Sequence, residues 1–211
     1  LDGATRLKEV FKVAKAKGMK AVAITDHGNM FGTLTFAEEG KKLGMQAIIG
    51  CEMYACDDYK NKAGRDETDH LILLCKNKRG YKNLVKLDSV AYVDGFYYKP
   101  RIDYNLLKEH SEGLVCLSAC LAGRVAKLLL KNNYEGAKKF ALSMKDIFGE
   151  DFYLEIQDHG LAEQKYINPM LVKLSRETGI KLVATNDVHY AERQDAEIQD
   201  VVMCISTKKT M

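Results

Sequence analysis

Short apolar runs alternate with amphipathic stretches along almost the whole chain, and this rhythm restricts the possible folds more than any other feature. "KAVAITD" (20–26), "QAIIGCEMYAC" (46–56), "HLILLCKN" (70–77), "GLVCLSAC" (113–120), "DFYLEIQD" (151–158) and "KLVATND" (181–187) are strand-length and apolar. Such runs suit strands covered on both faces. Between them, "ATRLKEVFKVAKAKG" places Leu7, Val10, Phe11 and Ala14 on one helix face and ends at Gly18. "YEGAKKFALSMKDIFG" repeats the pattern and ends at Gly149, and "LAEQKYINPMLVKLSRETG" repeats it again around Pro169. An interior proline predicts a kink or two abutting helices there. Strand–helix alternation predicts an α/β fold with a parallel sheet, open or closed into a barrel.

Composition excludes several classes. With 211 residues, 46% hydrophobic and 29% charged, the chain can bury its own core without disulfides. No apolar stretch approaches the ~18–20 residues of a membrane span. The start, "LDGATRLKEVFK", is polar and basic, unlike a signal peptide, and has no initiator Met. It predicts a fragment cut from a longer chain. A net charge of +3 is too mild to announce a nucleic-acid binder. Six cysteines without a C-x-x-C suit a reducing cytoplasm. Two prolines, no linker and no repeat predict one domain over 1–211, with the polar segment 57–69 as an exposed loop.

Parallel βα folds carry their chemistry at the carboxyl ends of strands. Here those ends hold Asp26 and His27, then Cys51 and Glu52, then Cys120, then Asp187 and His189. Imidazole, carboxylate and thiolate are ligands for Zn²⁺, Mn²⁺ or Fe. Each has a plainer reading: an Asp-His pair can cap a helix, and a lone cysteine such as Cys120 packs as a small hydrophobe. Glu52 beside an apolar run is harder to explain without a partner. His70 fits the pattern less well, because it begins its strand. His110 and His159 read as surface or turn residues. Nucleophile schemes are weak: there is no G-x-S-x-G, Ser118 lacks flanking glycines, and a Cys120 thiol catalyst is disfavoured by the surplus of carboxylates. No P-loop or G-x-G-x-x-G occurs. "GFYYKPRID" (95–103) offers Tyr97, Tyr98, Lys99 and Arg101 to stack bases and hold phosphates, against the alternative of a turn packed by its tyrosines.

"AVAITDHGNMFG", "IIGCEMY", "HLILLCKNKRGYKNL", "GFYYKPRID", "FYLEIQDHG" and "LVATNDVHY", taken in order, resemble the PHP (polymerase and histidinol phosphatase) domain of bacterial replicative DNA polymerase III alpha subunits. The resemblance implies a distorted seven-stranded βα barrel, incomplete here at its first strand, with up to three divalent metal ions (Zn, Mn or Mg) at its mouth. It implies metal ligation by Asp2, His27, Glu52, His70, Cys120, Asp187 and His189. A further His-x-His pair would lie upstream of Leu1, and polymerase modules downstream. Asp26 becomes an auxiliary group, and Asp26, His27, Asp187 and His189 become the catalytic set. The implied activity is a metal-dependent phosphoesterase, a 3′–5′ exonuclease that proofreads for the adjoining polymerase. The implied partners are single-stranded DNA 3′ ends, polymerase modules of the same chain and other replicase subunits, in the cytoplasm and away from membrane. The fragment itself would be poorly active. Two rivals remain: a scaffold that braces the polymerase or docks a separate proofreading subunit, and a small-molecule phosphatase of the histidinol-phosphate type.

Overall fold

The computed structural model describes residues 2–63 and 67–211; within the polar 57–69 segment, residues 64–66 lie outside those described. The chain divides into two compact units. The first holds the residues up to Ile24, then Phe31–Ile48 and Asp187–Met211, and the second holds Thr25–Met30 and Ile49–Asn186.

The first unit contains α1 (Leu7–Ala16), β1 (Ala21–Ile24), α2 (Thr33–Leu43), the opening residues of β2 (Gln46–Cys56) and α8 (Ala196–Thr207). Helices α1 and α2 meet through the buried rings of Phe11 and Phe36, with centroids 4.5 Å apart. Phe11 and Ala14 are the buried positions of the stripe expected on α1. The Gln199 side chain of α8 ties down the N-terminal segment, donating to the Asp2 carbonyl at 2.7 Å and accepting from the Ala4 amide at 3.0 Å.

The second unit contains the rest of β2, then β3 (Asp69–Cys75), α3 (Lys78–Val93), β4 (Arg101–Asp103) and α4 (Tyr104–Glu109). These are followed by β5 (Leu114–Leu117), α5 (Arg124–Leu130), α6 (Tyr134–Phe148), β6 (Phe152–Ile156), α7 (Ala162–Thr178) and β7 (Lys181–Ala184). The strands run in the order β2-β3-β5-β6-β7, with β4 also paired to the end of β2. Leu73, Leu114, Phe152 and Leu154 of the sheet pack with Leu84 and Leu87 of α3, Leu129 of α5 and Leu174 of α7. Each such side chain contributes about 1.5–3 kcal/mol when fully buried. Side-chain caps set helix starts: Asn77 accepts from the Arg79 and Gly80 amides, Asp103 from Leu106, and Asn133 from Gly136.

The α/β class stands, and the sheet departs from the all-parallel expectation in one place. Pairs β2–β4, β5–β6 and β6–β7 are parallel, whereas β3 is antiparallel to both β2 and β5. A parallel return needs a long crossover, usually a helix, and the described residues between Cys56 and Asp69 contain none. The chain therefore doubles back. Two further differences follow from local context. Pro169 lies inside α7, which runs unbroken over Ala162–Thr178 instead of splitting in two. The segment 95–103 is not only a turn, because its last three residues form β4. Among the described residues, no helix is long and apolar enough to cross a membrane.

Candidate metal centre

Glu52 lies on β2 and is 3% exposed. Its main chain holds the segment after β1 in place: the Glu52 amide donates to the Asp26 carbonyl at 3.1 Å, and the Gly28 amide donates to the Glu52 carbonyl at 2.8 Å. His27 is thereby registered against Glu52, and its Nδ1 lies 3.2 Å from Glu52 Oε2. The reversed strand β3 puts His70 opposite Tyr54, two residues beyond Glu52 on the same face of β2. His70 Nδ1 lies 2.7 Å from Glu52 Oε1. Cys120 comes from the turn after β5, where Ala119 takes a positive φ of 64° and the Ala122 carbonyl accepts from the His70 amide at 3.1 Å. Its Sγ is 3.8 Å from His70 Nδ1 and 3.9 Å from Glu52 Oε1.

Tyr54 forms one wall of the cluster. Its ring stacks at 15° on His27 with centroids 6.0 Å apart, and meets His70 edge-on at 5.3 Å. Gly28 permits this approach. It has φ 58°, and a Cβ there would lie 2.8 Å from Pro100 Cγ and 2.9 Å from Tyr54 Cε2.

A carboxylate this buried requires cationic or hydrogen-bonding partners, and Glu52 presents one oxygen to each imidazole. Ligand atoms of His27, Glu52 and His70 lie within 4.8 Å of one another. Metal–ligand bonds of about 2.0–2.3 Å set neighbouring donors a few ångströms apart. Two imidazoles, one carboxylate and one thiol converging at such spacings fit a divalent cation.

Asp2, Asp187 and His189 form a second group, within the first unit. His189 Nε2 is 3.3 Å from Asp2 Oδ2, and His189 Nδ1 lies 2.7 Å from the Asp187 carbonyl and 3.8 Å from its Oδ1. Burial alone would lower the His189 pKa, but the Asp187 carbonyl and the carboxylates of Asp187 and Asp2 outweigh it, so the imidazole holds its proton more firmly than usual. Asp187 adopts φ 45°, a left-handed conformation that aspartate tolerates better than most residues.

The remaining candidates divide. The Asp26 side chain is exposed, while its carbonyl also accepts from Cys51 Sγ at 3.3 Å. In the 95–103 segment, Tyr98 and Lys99 are exposed and Tyr97 is partly covered. Arg101 is 1% exposed, which corrects its reading as a phosphate-holding group. Its guanidinium donates to the carbonyls of Gly95, Tyr59 and Asn61 at 3.2, 3.1 and 2.8 Å and lies over the Tyr97 ring, because β4 pairs with β2 and carries it inward. His110 closes α4. His159 ties its loop to two neighbours, through Nε2 to the Asn186 carbonyl at 2.9 Å and through Nδ1 to Gln164 Nε2 of α7 at 3.1 Å. Sequence reasoning missed Tyr54, although "GCEMY" sets it two positions from Glu52 on one strand face. It also missed buried Glu155, which accepts from Gln157 Nε2 at 3.0 Å and from the Thr185 hydroxyl.

The PHP domain family matches residues 1–159, and the chain belongs to that family. It is similar to DNA polymerase III subunit alpha of Borreliella burgdorferi, at 48% identity over 211 residues (98% of this chain, 18% of the relative). It is also similar, at 48%, to the subunit of Treponema pallidum (99% of this chain, 18% of the relative) and, at 40%, to that of Thermus aquaticus (100% and 18%). The chain thus spans about a fifth of the length of these curated relatives. Among solved structures, its fold resembles a Bifidobacterium adolescentis protein classed as a metal-dependent phosphoesterase, with TM-score 0.54 and 15% identity over 89% of this chain and 84% of that one. It also resembles an amidohydrolase from Chromobacterium violaceum, with TM-score 0.51 and 14% identity over 90% of this chain and 84% of that one.

Proposed function

We propose that residues 1–211 act as the PHP domain of a replicative DNA polymerase alpha subunit and hydrolyse phosphodiester bonds at the 3′ end of single-stranded DNA. The supporting observation is the buried Glu52 carboxylate shared between His27 and His70 with the Cys120 thiol alongside. This is a donor set suited to divalent cations, in a chain whose relatives replicate DNA. Asp2, His27, Glu52, His70, Cys120, Asp187 and His189 would hold up to three such ions (Zn, Mn or Mg). Bound there, such ions would neutralise phosphate charge and acidify the attacking water.

The residues of the chain orient the reaction. Glu52 fixes both imidazoles and Tyr54 walls them from one side, and Asp26, His27, Asp187 and His189 would be the catalytic set. Water adds to the terminal phosphorus, the bond to the neighbouring 3′ oxygen breaks, that oxygen leaves with a proton, and a mononucleotide is released. The protein would work in the cytoplasm beside polymerase modules of its own chain and other replicase subunits.

Metal content and mononucleotide release from a 3′-labelled single strand test this reading together. Bound metal with release, both lost in His27→Ala, is the expected result. Metal without release would point to a bracing scaffold. Turnover of a phosphorylated amino alcohol instead of DNA would point to a small-molecule phosphatase.

A further inference from the structure

The segment 95–101 is closed on itself at its base and anchored beside the cluster through Tyr54 and Gly28. At its start, Gly95 lies so close to Arg101 that a Cβ would fall 2.1 Å from the Arg101 carbonyl oxygen, and the Arg101 side chain donates back to the Gly95 carbonyl. At its end, β4 pairs parallel with β2, setting Arg101 beside Tyr54, and Pro100 packs against Gly28. Between these anchors the chain turns tightly. The Tyr97 amide donates to the Lys99 carbonyl at 3.1 Å, and Tyr98 takes a left-handed φ of 60°. A non-glycine residue in that region is costly and persists where the surroundings impose it.

The turn presents two side chains. Tyr98 is 79% exposed, with its ring edge-on to Tyr97 at 4.6 Å. Lys99 is exposed, and its Nζ rests 4.1 Å from the centre of the Tyr54 ring. An aromatic face steadies an ammonium without neutralising it. The same Tyr54 ring packs on His27 and His70, so the lysine ammonium and the two imidazoles share one aromatic neighbour.

We infer that Lys99, seated on Tyr54, is a binding subsite for the phosphate next along the strand from the one being cut, with Tyr98 as a stacking face for the adjoining base. The inference rests on the phosphodiesterase reading above and narrows its substrate to a polynucleotide, because a small phosphate monoester has no second phosphate to offer. Base–aromatic stacking and backbone charge are the two contacts that single strands make with proteins irrespective of sequence. Lys99 is a specificity group and takes no part in bond breaking.

Binding and turnover are measured separately in the protein, Lys99→Ala, Lys99→Arg and Tyr98→Ala. Binding is read as anisotropy of a fluorescein-labelled oligothymidylate in EDTA across a salt series. Lys99→Ala should weaken it about 5-fold and lower the salt slope by about one, Lys99→Arg should restore both, and Tyr98→Ala should weaken binding with the slope unchanged. With metal added, Lys99→Ala should raise KM for the oligonucleotide at nearly constant kcat and leave hydrolysis of bis(p-nitrophenyl) phosphate within about 2-fold. Unchanged affinity and slope in Lys99→Ala would overturn the subsite. Equal loss on both esters would also overturn it, by placing the effect on the cluster itself. If the wild-type protein hydrolyses neither ester, the phosphodiesterase reading fails while the salt series still decides whether Lys99 holds a phosphate.

Discussion

Glu52 Oε1 and His70 Nδ1 meet at 2.7 Å because β3 runs antiparallel to β2, which sets the opening residues of one strand beside the closing residues of the other. The contact is therefore a product of strand direction. It leaves the second carboxylate oxygen to His27, 3.2 Å away, so a single buried acid organises both imidazoles.

Replacing Glu52 with Gln keeps the side-chain shape and removes the charge between the imidazoles. Metal affinity should fall by at least about 10–100-fold, the range seen when groups that orient ligands are lost. Equilibrium dialysis against Zn²⁺ or Mn²⁺ with elemental analysis reads the change. Full retention of metal by Glu52→Gln would remove Glu52 from the ligand set.

Gly28→Ala adds a Cβ at φ 58° that would lie 2.8 Å from Pro100 Cγ and 2.9 Å from Tyr54 Cε2. Backbone strain and overpacking together should cost about 1–3 kcal/mol. Thermal unfolding should shift down by several degrees, and Tyr54 should move off the imidazoles, lowering metal affinity in the same variant.

Arg101→Met should be among the most damaging surface-distant substitutions. It leaves the carbonyls of Gly95, Tyr59 and Asn61 without the donor that now reaches all three. Leaving the buried Gly95 carbonyl unpaired costs about 1–3 kcal/mol, and the carbonyls of the partly covered Tyr59 and exposed Asn61 add less because water reaches them. Arg101→Lys should recover only part of the loss, since one ammonium cannot reproduce the planar fork. Urea unfolding of the two variants provides the comparison.

Asp88, on α3, has its carboxyl pKa pushed up by burial from the ordinary 3.8 to about 6. The neutral acid is thus favoured in the folded state. Its contribution is fully present below pH 3.8 and is lost as pH rises through about 6. Asp88→Asn should match the wild type at low pH and exceed it at pH 7 by about 1 kcal/mol, after discounting for the solvent that screens a half-exposed group. Parallel denaturation curves at several pH values measure the crossover, and a pH-independent difference would refute the assignment.

Local pattern determined a good part of this protein. The apolar runs mark β1, β2, β3, β5, β6 and β7, and the amphipathic stretches mark α1, α6 and α7, because burial periodicity is written directly into side-chain order. His27 and Cys120 could be singled out just past strand ends for the same reason, whereas Glu52, expected at a strand end, lies inside β2, which continues to Cys56. His70 could not, since the strand-end rule presumes parallel strands, and reversal of β3 turns the start of that strand towards the site. Arg101 was misjudged from sequence because a basic residue beside tyrosines looks alike whether it faces solvent or three backbone carbonyls. Only the pairing of β4 with β2 sends it inward and leaves Lys99 outside, over Tyr54. Sequence thus marked which residues form strands and which carry metal-ligand chemistry. Strand direction and register, which depend on contacts between residues far apart in the chain, decided which of them meet.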